Sequence, residues 1–237
     1  MNRWQRFILK ILGSNKKIFC ASLIIGLMLS ISFCILGKDY SDKLQLGLAQ
    51  KVMRLHVLAN SDSNSDQVLK LKVRDDILKF LSADLKNSKS KIQTKKILSD
   101  KLDAIKNIAR ETIIHNGYDY DVKVLICTDY FPTKQYADVT LPAGNYETLK
   151  IIIGQGKGHN WWCVMFPPLC FVDVTKKTVP SNLKHELKNL LSDDEFKIVN
   201  YQNEKSLPVK IKFKIVEAWQ KYESKNKIAH AAKNVSY

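Results

Sequence analysis

RLHVLANSDSNSDQVLKLKVRDDIL, from Arg54 to Leu78, changes its period halfway along. Residues 52–58 alternate roughly and read as a strand. Asn60-Ser61-Asp62-Ser63 is a turn cluster, and Ser63 or Ser65 can cap the next helix. From Asp66 onward Leu69, Val73, Ile77 and Leu81 recur every four residues, so a helix lays one stripe on a core, widened by Leu71 and Leu78. A strand that feeds a helix through a capped turn begins an α+β domain, and the rest of the chain extends that pattern. Ser90 to His115 reads as one long helix that Asn116-Gly117 ends. Val122 to Tyr130 alternates as a strand, Tyr136 to Leu141 reads as a second, and Tyr146 to Ile153 as a third after the turn Pro142-Ala143-Gly144-Asn145. Pro180-Ser181 opens a helix carrying Leu183, Leu187, Leu190 and Leu191, and the stretch from Lys210 reads as mostly helix. The expected architecture is one α+β domain with a small, mostly antiparallel sheet covered by helices on one face.

Ahead of this domain, residues 18–36 carry no charge and follow Arg3, Arg6, Lys10, Lys16 and Lys17. Nineteen residues at about 1.5 Å each can cross a hydrocarbon core. The basic flank keeps the N-terminus in the cytoplasm and sends the remainder outside. The segment is either a retained anchor or a cleaved signal, Ser32-Phe33-Cys34 being a poor cleavage site. The organisation is then a basic cytoplasmic tail (1–17), an apolar segment (18–36), a stalk (37–51), an extracytoplasmic domain (52–225) and a frayed tail (226–237). The net charge of +15 is spread along the chain and is mostly lysine, which suits a solvated surface more than phosphate reading. Export and the lack of a motif argue against nucleic acid.

A second distinctive block, IGQGKGHNWWCVMFPPLCFVD, runs from Ile153 to Asp173. Its glycines invite a phosphate-loop reading, but no Lys-Ser/Thr pair comes after them, and a flexible turn off a strand accounts for them. Trp161 and Trp162 are adjacent, so on extended chain they point opposite ways, one as a core plug and the other partly exposed or covered by another element. Cys163 and Cys170 allow a disulfide outside the membrane, and burial as two small apolar groups fits equally well. His159 beside Cys163 hints at a thiol nucleophile, but no orienting residue completes the arrangement. No CxxC pair supports zinc. Arg54 and His56 lie two apart on a strand and share a face, as a polar recognition rim or as part of a salt-bridge cluster with Arg74 and Asp75. No catalytic, cofactor or metal constellation is complete.

Together with LPAG at Leu141–Gly144, these two blocks resemble the stage II sporulation protein R family, over about half the chain. The resemblance implies a signalling protein of endospore formers, exported from the forespore into the space between the two membranes. Its partner would be a membrane-embedded aspartic protease of the mother cell, which then cleaves the pro-sequence of a sigma factor. No active-site residue is implied. Asn160, one outward tryptophan of Trp161 and Trp162, and the Pro167-Pro168 turn are the expected contact, with Arg54 and His56 at its rim. On the residues alone an envelope hydrolase and a structural envelope protein are the competing classes.

The topology has a direct test. A reporter fused after Tyr237 should be active when it requires export and silent when it works only in the cytoplasm; the reverse pattern contradicts the reading.

Overall fold

A computed structural model of the chain describes residues 16–172 and 178–200. The expectations for residues 1–15 and for the stretch beyond residue 200, including the helix from Lys210 and the frayed end, lie outside them. Lys16–Lys51 is one helix, α1, long and apolar enough to cross a membrane. The chain divides into two compact units between Leu44 and Gln45. The second unit therefore begins inside the stretch read as stalk, where Leu48 and Ala49 are buried.

In that second unit β1 (Met53–Leu58) leads through a tight loop into α2 (Asn64–Asn87). The helix starts where the sequence places a cap: the Asp66 N–H donates to Ser63 Oγ at 3.2 Å. Leu69, Val73, Ile77, Leu81 and Leu85 are its buried stripe. The single helix expected to His115 is two, α3 (Lys91–Asp100) and α4 (Leu102–His115). Lys101 leaves the helical region between them, with φ −111° and ψ 9°. Its ammonium pairs with Asp84 of α2 at 2.6 Å, which holds the break against the neighbouring helix. Gly117 ends α4 at φ 81°, a left-handed position that suits glycine.

Four strands make the sheet: β1, β2 (Val122–Phe131), β5 (Gly144–Ile153) and β6 (Asn160–Phe166), in the order β2-β5-β1-β6. β5 pairs antiparallel with β2, and β6 antiparallel with β1, whereas β1 and β5 run parallel. The sheet is thus mostly antiparallel, and the fold is α+β. Tyr136–Leu141 does not join it as a strand. It forms a separate hairpin of β3 (Lys134–Tyr136) and β4 (Val139–Leu141), turned by Ala137 at φ 53°. Buried Asp138 fastens that turn by accepting the Val179 N–H at 2.8 Å and pairing with Lys184.

Each sheet face has its own core. α2, α3 and α4 bury Leu55, Val57, Leu149, Ile151 and Met165 on one side. On the other, the hairpin joins α5 (Ser181–Leu190) and α6 (Asp193–Val199) over Phe131, Tyr146 and Val164. Cover on one face only was expected; the structure covers part of the second as well. α6, not anticipated, starts in a capping box of Ser192 and Glu195, and Glu195 also takes Lys51 at 2.6 Å.

The loop between β5 and β6 packs against the turn after β1. A Cβ on buried Gly158 would overlap the Ser61 carbonyl oxygen, which is backbone and cannot swing aside. Gly158→Ala should therefore destabilise the fold by about 1–3 kcal/mol, read as a lower midpoint in urea unfolding. An unchanged midpoint would show that the two loops are not held together.

A candidate interaction face on the sheet

Alternation along β1 sends Leu55 and Val57 to the helical core and Arg54 and His56 to the opposite face. Arg54 is completely buried. Its guanidinium lies 4.0 Å from the centre of the Phe131 ring and 4.8 Å from that of Tyr146, and Nη2 donates to Tyr136 Oη at 2.7 Å. Nε and Nη1 have no hydrogen-bond partner among the described residues. Burial pulls its pKa below the usual guanidinium value, opposed by the two tyrosines. The same burial pushes Tyr146 up to about 12. Aromatic faces thus take the place of a carboxylate around this cation. The expected polar rim at Arg54 is therefore corrected: the side chain is an internal brace joining β1 to β2, β5 and the hairpin.

His56 sits two residues on and is also buried, with both ring nitrogens engaged, so it too is internal and not the polar rim expected of it. Nδ1 lies 2.6 Å from Asp129 Oδ2 and Nε2 2.8 Å from Asn160 Oδ1. Lys150 reaches the same Asp129 oxygen at 2.8 Å. Burial alone would raise the Asp129 pKa, but hydrogen bonds from His56 and Lys150, with the charge of Lys150, bring it down to about 2. Trp162 stacks on His56 with ring centres 5.8 Å apart and planes 20° apart. The Lys134 ammonium stands 4.3 Å from the centre of the Trp162 ring. Strands β1, β2, β5 and β6 and the hairpin therefore each contribute one or two side chains to a single network.

Trp161 points the other way, into the helical core, under the Arg74 guanidinium at 4.0 Å. Both tryptophans are half-buried and sit on opposite faces as adjacent residues of an extended strand must, Trp161 against the helical core and Trp162 covered in part by His56 and Lys134. Both indole N–H groups lack partners among the described residues. Pro167 and Pro168 are buried, which removes that turn from the surface expected for it. Cys163 is bonded to Cys170, tying β6 to the short 3-10 turn at Leu169–Phe171. Cys163 is thus no thiol nucleophile, and His159 pairs instead with Asp62. The glycine loop spends its N–H groups internally: Gly158 donates to Ala59 O at 3.0 Å and Lys157 to Asn60 O at 3.2 Å. It is a clamp, not a phosphate cradle.

Sequence reading missed Asp129, Lys150 and Lys134. The only available signals were an acid near the end of an apolar strand and a lysine in the run Leu149-Lys150-Ile151. With neither nitrogen of His56 open to a substrate proton, the network is built to hold shape and charge. Cys127, on the same face, has its thiol pKa raised by burial and by Asp129, which disfavours a nucleophilic thiolate.

A carboxylate whose folded pKa lies below its unfolded value contributes stability above the unfolded pKa and loses it as pH falls through the folded one. Asp129 should therefore stabilise the protein fully above pH about 4 and lose that effect toward pH about 2. Asp129→Asn should unfold more easily at pH 7 and converge with the parent chain across that acid window. Parallel acid curves would contradict the assignment.

A family model described as stage II sporulation protein R matches residues 49–176. The chain is 38% identical over 162 residues to a stage II sporulation protein R of Bacillus subtilis, covering 67% of this chain and 72% of that protein. No solved structure matches the chain.

Proposed function

Because the chain belongs to the stage II sporulation protein R family, we propose that it is an exported sporulation signal that activates a membrane-embedded aspartic protease of the mother cell. In this reading the forespore makes it, α1 carries it across the membrane, and its folded unit acts between the two membranes. The protease it activates cleaves the pro-sequence of a sigma factor. The observation that carries the proposal is the family match, which falls on the folded unit and spans both sequence blocks. The apolar helix ahead of that unit agrees with export, as a retained anchor or as a signal.

An activator works by binding the active state of its target more tightly than the inactive one. A shift of about 100-fold needs about 2.7 kcal/mol of differential binding, within the range of one aromatic anchor. Trp162 is the side chain suited to that task. His56 holds its ring on one side of the sheet, Lys134 adds a charge, and half-buried Asn160 continues the same face along β6. Arg54 braces this face from within through Phe131, Tyr146 and Tyr136, and Trp161 serves the opposite core.

Trp162→Ala should leave the protein folded and exported but weaken protease binding by on the order of 2 kcal/mol. Sigma-factor processing in a strain deleted for the parent gene should then fail at normal levels of the variant and recover in part on overexpression. Trp161→Ala should instead lower stability while leaving the folded fraction active. Full processing by folded Trp162→Ala at normal levels would place the contact elsewhere.

A further inference from the structure

Strand β2 is the outermost strand of the sheet beside β5, and among the described residues no strand lies beyond it. Its ten residues contain no proline, and its register with β5 is unbroken from Val122–Ile153 to Phe131–Gly144. Long, regular edges of this kind template pairing with another strand, and proteins usually guard them with bulges, prolines or charges. Lys123 and Asp129 are the only charged residues along this edge.

Which backbone groups face outward is set by the ladder. The Gly154 N–H donates to Asp121 O at 2.8 Å, making Asp121 and Gly154 a hydrogen-bonded pair. Antiparallel ladders alternate, so Lys123, Leu125, Cys127 and Asp129 turn their backbone groups to β5. Val124, Ile126 and Thr128 turn theirs away from it. The side chains of Lys123, Leu125, Cys127 and Asp129 share the sheet face that carries His56, and Leu125 is 37% exposed.

From this edge we infer that the chain forms a symmetric dimer by antiparallel pairing of β2 with β2 of a second copy, centred on Ile126. In that register Lys123 of each copy stands opposite Asp129 of the other, and Leu125 opposite Cys127. Both are positions without ladder hydrogen bonds, where cross-strand side chains come closest. The adjacent registers are worse. Centring on Leu125 sets Asp121 against Asp129, two like charges, and centring on Cys127 sets Lys123 against buried Phe131. Charge complementarity thus selects the occupant and the register together, and the result is a continuous eight-stranded sheet. A two-fold axis at β2 would place two Trp162 faces on the same side of that sheet.

The test uses the full chain in detergent micelles. Leu125→Cys puts a thiol opposite Cys127 of the second copy, so mild oxidation should give a covalent dimer on non-reducing gels. Adding Cys127→Ser should abolish it, and adding Lys123→Glu should lower the cross-linked fraction several-fold. Sedimentation of Lys123→Glu alone, an exposed change that leaves the fold intact, should show dissociation that the parent chain does not. Absence of the covalent dimer overturns the inference, as does its persistence with Cys127→Ser or its indifference to Lys123→Glu. Association through α1 alone would give that last pattern.

Discussion

Strand β1 is hydrogen-bonded along both edges and buried on both faces, so its side chains must divide between two interiors. Leu55 and Val57 meet the first with ordinary apolar packing. Arg54 and His56 must enter the second as polar groups, and the remaining architecture on that side comes from accommodating them. A buried cation is costly unless its field is answered. Phe131, Tyr146 and Tyr136 answer it here with ring faces and one hydroxyl, and those rings come from β2, β5 and the hairpin. Hairpin and sheet are thereby locked together, and the hairpin in turn delivers Lys134 to Trp162.

His56 repeats the arrangement one step along the strand, nearer to solvent. It draws Asp129 and Lys150 from the strands on one side and Asn160 and Trp162 from β6 on the other. The outcome is an aromatic ring with few degrees of freedom on a face already charged and hydrogen-bonded. Such pre-organisation lowers the ordering cost of binding. The glycine clamp fixes the start of β6, and the Cys163–Cys170 bond ties its middle to the following 3-10 turn.

Periodicity made α2, α5 and the strands β1, β2 and β5 legible, whereas β6 and α6 went unread. The four-residue recurrence from Leu69 to Leu81 and the glycine after Asn116 each map onto a feature of the fold. What local pattern could not carry was pairing at a distance. Nothing near Val52–Leu58 announces that its parallel neighbour is some ninety residues away in β5. Nor does Tyr136–Leu141 show that Ala137 turns back, because an alanine in the left-handed region has no sequence signature. The break at Lys101 depends on Asp84 in another helix. For the candidate interaction face, Arg54, His56, Asn160 and the tryptophans stood out by residue type, but only the fold shows that Arg54 is sealed in and that Asp129 and Lys150 complete the network.

In the proposed function, the face carrying His56 and Trp162 is the one that meets the protease. A photoreactive amino acid placed at Lys134, beside Trp162, and separately at exposed Lys106 on α4, the opposite side of the sheet, can be activated in sporulating cells. The account predicts a covalent adduct with the mother-cell protease from position 134 and none from position 106. An adduct from position 106 with none from position 134 would contradict it.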